Sequence, residues 1–351
     1  MLIVDALNIR KGGGAVLLSY LAEELQKKEI KFKLLINDAF IITNQINENQ
    51  VFRFKMDNYF GRSKILKKFL TPEIDTLLCF GNFPPPFKTN ATKTFVFFQN
   101  YILLNDYKFS TESLLNRLSL IFKRRYLKFY LKNANYLIFQ TTNIRANFLK
   151  SYKFKFENCL VLPFYDENKI LEIKRLCIEE NKTVSRHNFI YVSNPSFHKN
   201  FDKLFDAWEV LLSKNFKPTL FLTIPKIDNS LINGCLQKIQ QLNSIGCKII
   251  NLGNLPLEQV LVNTYECYCT VYPSLSESFG LGLIESYHMG LKILASDLPY
   301  VNAVIKPSLV FDPYSSESIA NAVEKAMHEI LPKPEILVKN QIDELIKILT
   351  N

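Results

Sequence analysis

Short apolar runs alternate along the chain with longer segments whose apolar positions recur every three or four residues. Runs without polar alternation suit strands covered on both faces, and the longer segments suit the helices that cover them. Residues 2–7 read as a strand, Gly12, Gly13 and Gly14 as a loop, and residues 15–28 as a helix with Val16, Leu17, Tyr20, Leu21 and Leu25 on one face. Strands at 33–36, 76–80, 94–98 and 136–140 continue the series, and the run CLVLPFYD at 159–166 ends it. A charged, weakly apolar stretch to Arg186 then reads as a hinge. A second series follows, with strands at 189–193, 219–223, 248–252, 269–272 and 292–295 and helices at 201–214 and from Pro256. Residues 334–349 read as one more amphipathic helix.

Strand, crossover helix and parallel strand in repetition define a doubly wound α/β fold. Two such series predict two Rossmann-like domains facing across a cleft at the carboxyl ends of both sheets. The expected boundaries are 1–165, 166–333 and a terminal helix at 334–351 that packs back on the first domain. A length of 351 residues and 48% apolar residues suffice for two cores.

Charge narrows the partners. Lys and Arg number 43 against 33 Asp and Glu, a formal net charge of +10, which favours nucleic acid, an anionic membrane face or phosphorylated ligands. No RNP-like, helix-turn-helix or zinc pattern accompanies it, so nucleic acid is not the expected partner. The seven cysteines are scattered, without a C-x-x-C pair, and read as buried thiols in a reducing compartment. The opening apolar run is too short for a signal peptide, and nothing later approaches the roughly 18 apolar residues of a spanning helix. The expected location is the cytoplasm, at the inner face of its membrane.

The most informative segment, residues 272–299, reads YPSLSESFGLGLIESYHMGLKILASDLP. Its pattern predicts a strand ending at Tyr272, a polar turn from Ser274 to Gly280, a helix from about Leu281 and a stop at Gly290. Gly280 and Gly282 let backbone N–H groups at the helix entry approach an anion closely, and the helix dipole adds roughly 0.3–1 kcal/mol. Glu277 in the turn and Glu285 in the helix, eight positions on, bracket this cradle. A diphosphate repels carboxylates, so both acids make sense facing hydroxyls: a sugar ring at one end and a ribose at the other.

This segment closely resembles the E-x7-E signature of the retaining GT-B glycosyltransferases called group 1, usually S-x-x-E-G-F-G-L-P-x-x-E-A-x-x-x-G. Ser274, Glu277, Phe279, Gly280, Leu281, Glu285 and Gly290 stand in place, while Ser278 replaces Gly, Gly282 replaces Pro and Ser286 replaces Ala. The resemblance implies that Glu277 touches the donor sugar, that Ser278 and the backbone of Phe279, Gly280 and Leu281 hold sugar and phosphate, and that Glu285 binds the ribose. By themselves, two glutamates at this spacing are commonplace.

After the run FIYVSN comes SFHKNFDKLFDAW, with Lys199 at a helix entry. A cation there contributes roughly 1.5–3 kcal/mol to holding a diphosphate. The family usually carries G-R and K-G here; this chain has Ser193 and Asn194 for Gly and Arg, and His198, Lys199 and Asn200 as in an H-K-N branch. The stretch NLGNLPLEQVL at 251–261 resembles the loop that frames the nucleotide base, which brings in Asn254 and Leu255. No D-x-D occurs, so no metal or other cofactor is expected, and Lys199 with the helix terminus serves as the electrophile.

In the first domain the family also carries a Gly-Gly loop at the cleft, which implicates Gly13 and Gly14 in sugar or acceptor binding. Phe98, Gln99 and Asn100 match a segment that often reads His-Asn, so Gln99 stands in for the histidine; an ordinary strand-end turn is the rival reading. The stretch RLSLIFKRRYLKFYLK at 117–132 interleaves Arg and Lys with Leu, Ile, Phe and Tyr. It is either a helix that lies on an anionic membrane or a sheet-covering helix with its lysines outward.

The function these features point to is a retaining, metal-independent glycosyltransferase. Its donor is a nucleoside-diphosphate sugar and its acceptor a glycan or lipid-linked sugar, in cell-surface polysaccharide or lipopolysaccharide synthesis. A non-catalytic basic membrane- or nucleic-acid-binding protein and a GT-B phosphorylase or epimerase are the rivals.

Overall fold

The computed structural model describes the whole chain except residues 11, 42–45, 56–58 and 105–113, with backbone alone at 59 and 60. The chain forms two compact units, Met1–Asp166 with Lys339–Asn351, and Glu167–Val338.

The first unit is built on a seven-stranded sheet in the order Val51–Phe54, Phe32–Asn37, Leu2–Ala6, Thr76–Cys79, Lys93–Phe98, Tyr136–Phe139, Cys159–Val161. Every pairing in it is parallel. Leu2–Ala6 and Thr76–Cys79 are buried at each position, which is why their sequences lack polar alternation. Leu66, Leu127, Ile144 and Phe148 press the helices Tyr59–Phe69, Leu114–Tyr130 and Thr142–Ser151 onto the core formed by Ile3, Leu77, Val96 and Leu137.

The second unit repeats the plan in a six-stranded sheet, in the order Lys248–Asn251, Thr219–Leu222, Ser185–Tyr191, Cys267–Tyr272, Lys292–Ser296, Leu309–Phe311. Its pairings are parallel too. In each sheet the strand order reverses beside the unit's first strand. Chain connections leave that point in opposite directions and open a crevice at the carboxyl ends of the two central strands. In the second unit these strands are Ser185–Tyr191 and Cys267–Tyr272, and the loops that follow them carry Lys199 and Glu277.

Two expectations need correction. Residues 167–179, read as part of a hinge, form the helix Glu167–Glu179, whose Ile170, Ile173 and Cys177 are buried with Ile190, Leu261 and Met289. Its narrow apolar stripe is masked in sequence by the charges around it. The tail helix is also shorter than 334–349 suggests. Glu335–Ile336 pairs antiparallel with Ile305–Lys306 in the second unit, and only Ile342–Thr350 is helical. This helix belongs to the first unit, where the Gln341 N–H donates to the Pro163 carbonyl at 2.8 Å and Asn340 Nδ2 donates to the Tyr20 hydroxyl at 2.9 Å.

The seven cysteines are buried free thiols. One of them, Cys79, lies beside a charge pair that the sequence does not announce. Asp5 and Arg62 are 2% and 1% exposed, and Asp5 Oδ2 accepts from Arg62 Nη2 at 2.6 Å and Nε at 2.8 Å. Arg62 also donates to the carbonyls of Phe83 at 2.7 Å and Pro84 at 3.1 Å, so the pair anchors the loop after Thr76–Cys79. Removing one partner of a fully buried pair strands the other charge, at a cost of about 3–5 kcal/mol. Arg62→Met is therefore expected to lower the first unit's unfolding free energy by that amount, read as the shift in its urea midpoint multiplied by the m-value. The double change Asp5→Leu with Arg62→Leu, which leaves no orphan charge, is expected to lose less than Arg62→Met alone.

Candidate functional site

Lys199 is reached through a single helical turn, Phe197–Lys199, placed between the strand Ser185–Tyr191 and the helix Phe201–Ser213. The residue after it, Asn200, takes the left-handed conformation with φ 57° and ψ 38°, which Asn tolerates better than most side chains. Its Nδ2 donates to the carbonyls of Pro273 at 3.1 Å and Pro313 at 2.8 Å, stapling this turn to the loop that follows Cys267–Tyr272. The Leu275 N–H donates to the His198 carbonyl at 2.7 Å, which closes the same junction. The outcome is an ion pair between Lys199 Nζ and Glu277 Oε1 at 2.6 Å, with side chains 19% and 11% exposed. Burial pushes the Glu277 carboxyl up, but Lys199, His198 and a hydrogen bond from Ser274 outweigh it and hold the group below its ordinary value.

Beneath the pair lies a cluster of tyrosines around Ser274, which is fully buried. The Tyr191 hydroxyl and Ser274 Oγ are 2.7 Å apart, and the same hydroxyl lies 3.1 Å from the Lys199 carbonyl, to which it can donate. The Tyr300 hydroxyl donates to the Ser274 carbonyl at 2.7 Å. Burial, with Glu277 close by, pushes the hydroxyls of Tyr191, Tyr272 and Tyr300 up, so they remain protonated donors. Buried tyrosines need partners for their hydroxyls, but which partner is a tertiary fact. Tyr191 and Tyr300 were therefore missed in the sequence, although Tyr191 ends the strand that leads to Lys199.

The helix predicted from Leu281 runs Leu281–Met289 between two left-handed glycines, Gly280 with φ 82° and Gly290 with φ 96°. No side chain caps its start, so the cradle is made of backbone alone. At Gly282, where the related sequences carry Pro, a Cβ would lie 3.1 Å from the Tyr272 ring. The ring takes the space a larger residue would need, which explains the departure. Phe279 is buried, and Ser278 and Leu281 are half-buried.

Glu285 is half-buried one turn further along, and no hydrogen bond or ion pair holds it among the described residues. Burial pushes its carboxyl up from 4.5 to about 7. Near neutral pH this acid is about half protonated, and it is therefore only half a charge against a bound anion.

The other expected residues fall into two groups. Ser193, half-buried, and Asn194, exposed, follow the strand Ser185–Tyr191 and share its loop with Lys199. Asn254 and Leu255 lie beyond Lys248–Asn251, two strands away on the same carboxyl edge. There Asn251 shapes the loop, pairing with both the N–H and the carbonyl of Ile224 and accepting from the Gly253 N–H at 3.2 Å.

In the first unit Gly13 and Gly14 open the helix Gly13–Lys27 after the left-handed Gly12. A Cβ on Gly14 would sit 2.9 Å from Gln99 Oε1, so the helix entry closes directly on Gln99. Gln99 Nε2 donates to the Phe80 carbonyl at 2.8 Å, and its backbone N–H donates to Asn82 Oδ1 at 2.7 Å. Asn100 is employed differently, since its Oδ1 accepts from the Ile102 N–H at 3.2 Å and caps the turn Tyr101–Leu103. The structure thus packs Gly14 against Gln99 and has Asn100 Oδ1 cap the turn that follows.

Residues 178–343 match the profile of the family described as glycosyl transferases group 1. The second unit is a group 1 glycosyl transferase domain. No curated protein sequence matches the chain. Among solved structures, sucrose-phosphate synthase from Thermosynechococcus elongatus superposes with a TM-score of 0.68 at 14% identity, covering 93% of this chain and 90% of that one. The Escherichia coli structure described as trehalose-6-phosphate bound with UDP-2-fluoro glucose gives 0.65 at 14%, covering 99% and 94%. Anabaena HepE in complex with UDP and glucose gives 0.60 at 15%, covering 93% and 89%. At such identities the likeness establishes the fold, which is GT-B with two Rossmann-like domains. Within the group 1 domain Lys199, Glu277, Glu285 and the Gly280 helix entry all lie inside the matched residues.

Glu285 also makes stability depend on pH in a defined direction. Its folded pKa lies above the unfolded one, so stability present below about pH 4.5 is lost as pH rises towards 7, on the order of 1–3 kcal/mol in all. Glu285→Gln is expected to flatten this slope, gaining melting temperature over wild type at pH 8 and little at pH 4.5 in paired thermal scans.

Proposed function

We propose that the chain is a retaining glycosyltransferase that moves a sugar from a nucleoside-diphosphate sugar to a hydroxyl of a glycan or lipid-linked acceptor, in cell-surface polysaccharide or lipopolysaccharide synthesis. The observation that carries the reading is the Lys199–Glu277 pair at 2.6 Å, set at the strand-order reversal beside an uncapped helix entry. The crevice offers a cation for a diphosphate, backbone N–H groups for its oxygens and two acids for hydroxyls. UDP complexes of two structurally similar proteins make UDP sugars the first donors to test.

Lys199 Nζ has three donors; one is engaged by Glu277, and the others are available to the diphosphate. Glu277, kept ionised by this pair, accepts from hydroxyls of the transferred sugar, and Glu285 accepts from the ribose. Asn254 and Leu255 frame the base, with Ser193 and Asn194 beside the phosphates. As the bond from the anomeric carbon to the phosphate oxygen breaks, negative charge collects on the leaving diphosphate. Lys199 and the N–H groups at Gly280 and Leu281 stabilise it, the role a divalent metal would otherwise fill. The acceptor oxygen bonds to the anomeric carbon on the same face and its proton passes to the departing phosphate oxygen, which balances the transfer and retains configuration. Gly13, Gly14 and Gln99 belong to the acceptor side.

Titration calorimetry with UDP, GDP and dTDP and their sugars tests the proposal. One nucleotide is expected to give heat, and Lys199→Ala to weaken its binding about 10–100-fold, the value of one charge-assisted hydrogen bond. Glu285→Ala is expected to weaken the nucleotide as well. Glu277→Ala, which frees Lys199 for the phosphates, is expected to bind it no less tightly while losing sugar transfer. A folded protein silent towards every nucleotide would refute the site.

A further inference from the structure

The helix Leu114–Tyr130 covers the first sheet with only Leu120 and Leu127 buried. Its opposite side is apolar too: Leu114 is 76% exposed, Leu118 63%, Phe122 58% and Phe129 63%, with Leu115 and Ile121 beside them. At about 3.6 residues per turn, Leu114, Leu118, Ile121, Phe122, Arg125 and Phe129 fall on one outward stripe. A sheet-covering helix needs one apolar face; this one has two.

The charges around the stripe decide what it fits. Arg125, Lys128 and Lys132 are exposed along it, and Lys132 Nζ lies 4.9 Å from the Phe129 ring centre. From residue 113 to 156 the sequence holds no Asp or Glu and ten Lys and Arg. A second apolar protein surface would account for the leucines and phenylalanines but would bury these cations without partners. Arg124 is not part of the surface, because it turns inward to donate to the carbonyls of Ile102 at 3.1 Å and of Leu104.

We propose that the outward stripe of Leu114–Tyr130 lies in the interface of an anionic bilayer, with Leu118, Phe122 and Phe129 among the acyl chains and Arg125, Lys128 and Lys132 at the lipid phosphates. An amphipathic helix with aromatic and leucine side chains on one side and cations around them binds such surfaces in plane. The proposal deepens the reading of a lipid-linked acceptor by naming the surface that presents it, and it rests on that reading only for its purpose, since the stripe belongs to the first unit and the proposed donor-binding residues to the second.

Co-sedimentation of the full chain with vesicles of phosphatidylcholine alone, or of phosphatidylcholine mixed with the anionic phosphatidylglycerol, reads the contact directly. The wild type is expected to sediment with the anionic vesicles and to remain in solution with the neutral ones. Changing Arg125, Lys128 and Lys132 to Gln is expected to cut partitioning about 100-fold, since each cation near an anionic surface is worth roughly fivefold. Leu118→Ser with Phe122→Ser is expected to abolish it, and both variants should keep the wild-type circular dichroism and nucleotide heat, as these side chains are exposed. Equal sedimentation of wild type and variants would overturn the proposal. So would a wild-type dimer in light scattering that Leu118→Ser with Phe122→Ser dissolves while no vesicle is bound. Nucleotide heat without vesicle binding would refute this surface alone, and vesicle binding without nucleotide heat would refute the donor site alone.

Discussion

The ion pair between Lys199 and Glu277 is the constraint around which the second unit's crevice is arranged. An acid beside a diphosphate site is unfavourable unless a cation stands between them, and a partly buried cation is unfavourable without an acid. Each residue thus makes the other tolerable at low exposure. Holding them 2.6 Å apart requires that two loops separated by 78 positions keep a fixed register. Asn200, Ser274, Tyr191 and Tyr300 meet that requirement with short hydrogen bonds between buried groups, which resist displacement because no water waits to replace a broken partner.

Charge economy extends to Glu285. A second full carboxylate on the same helix entry would cancel much of the attraction that Lys199 and the helix terminus exert on an anion. Burial instead lifts its pKa to about 7, so the acid costs the site only part of a charge near neutrality. Hydroxyls of a ribose would draw it towards the ionised form by hydrogen bonding, which makes the group more acidic when the site is filled than when it is not. Two glutamates eight positions apart thus act under opposite influences. Glu277 is kept ionised by a neighbouring cation, and Glu285 is kept near its midpoint by its surroundings.

What the sequence disclosed followed period and locality. Buried parallel strands appear as unbroken apolar runs, and the Gly280 helix entry is a local signature, so the strand series and the cradle were both readable. The helix Glu167–Glu179 was not, because three buried positions among many charges resemble a linker. Partners distant along the chain leave no periodic trace. Asp5 with Arg62, and Tyr191 with Ser274 and Tyr300, fall in this class, since each residue alone has an ordinary explanation. Gly282 marks an intermediate case: the departure from Pro was visible, while its cause, the Tyr272 ring 3.1 Å from where a Cβ would stand, required the fold. The basic helix Leu114–Tyr130 showed both its expected features in sequence, but its second apolar face emerged only once the first was seen buried against the sheet.

The two units share one strand permutation and line its crevice with different groups. In the second unit the loops at the reversal bring a cation, a carboxylate and a helix terminus to the carboxyl edge. In the first unit the loops on that edge bring Gln99 onto Asn82 and the Phe80 carbonyl at 2.7–2.8 Å, with Gly14 packed against the Gln99 side chain. Asp5 and Arg62 in the same unit neutralise each other and are almost fully buried, where they hold the loop after Thr76–Cys79 rather than meet a ligand. Neutral donors and acceptors bind hydroxyl-rich molecules without the desolvation cost of exposed ions, whereas a diphosphate needs charge. The same backbone plan thus carries a cation, a carboxylate and a helix entry in one unit and neutral amides in the other, a contrast that the proposed transfer from an activated sugar to a sugar hydroxyl would use.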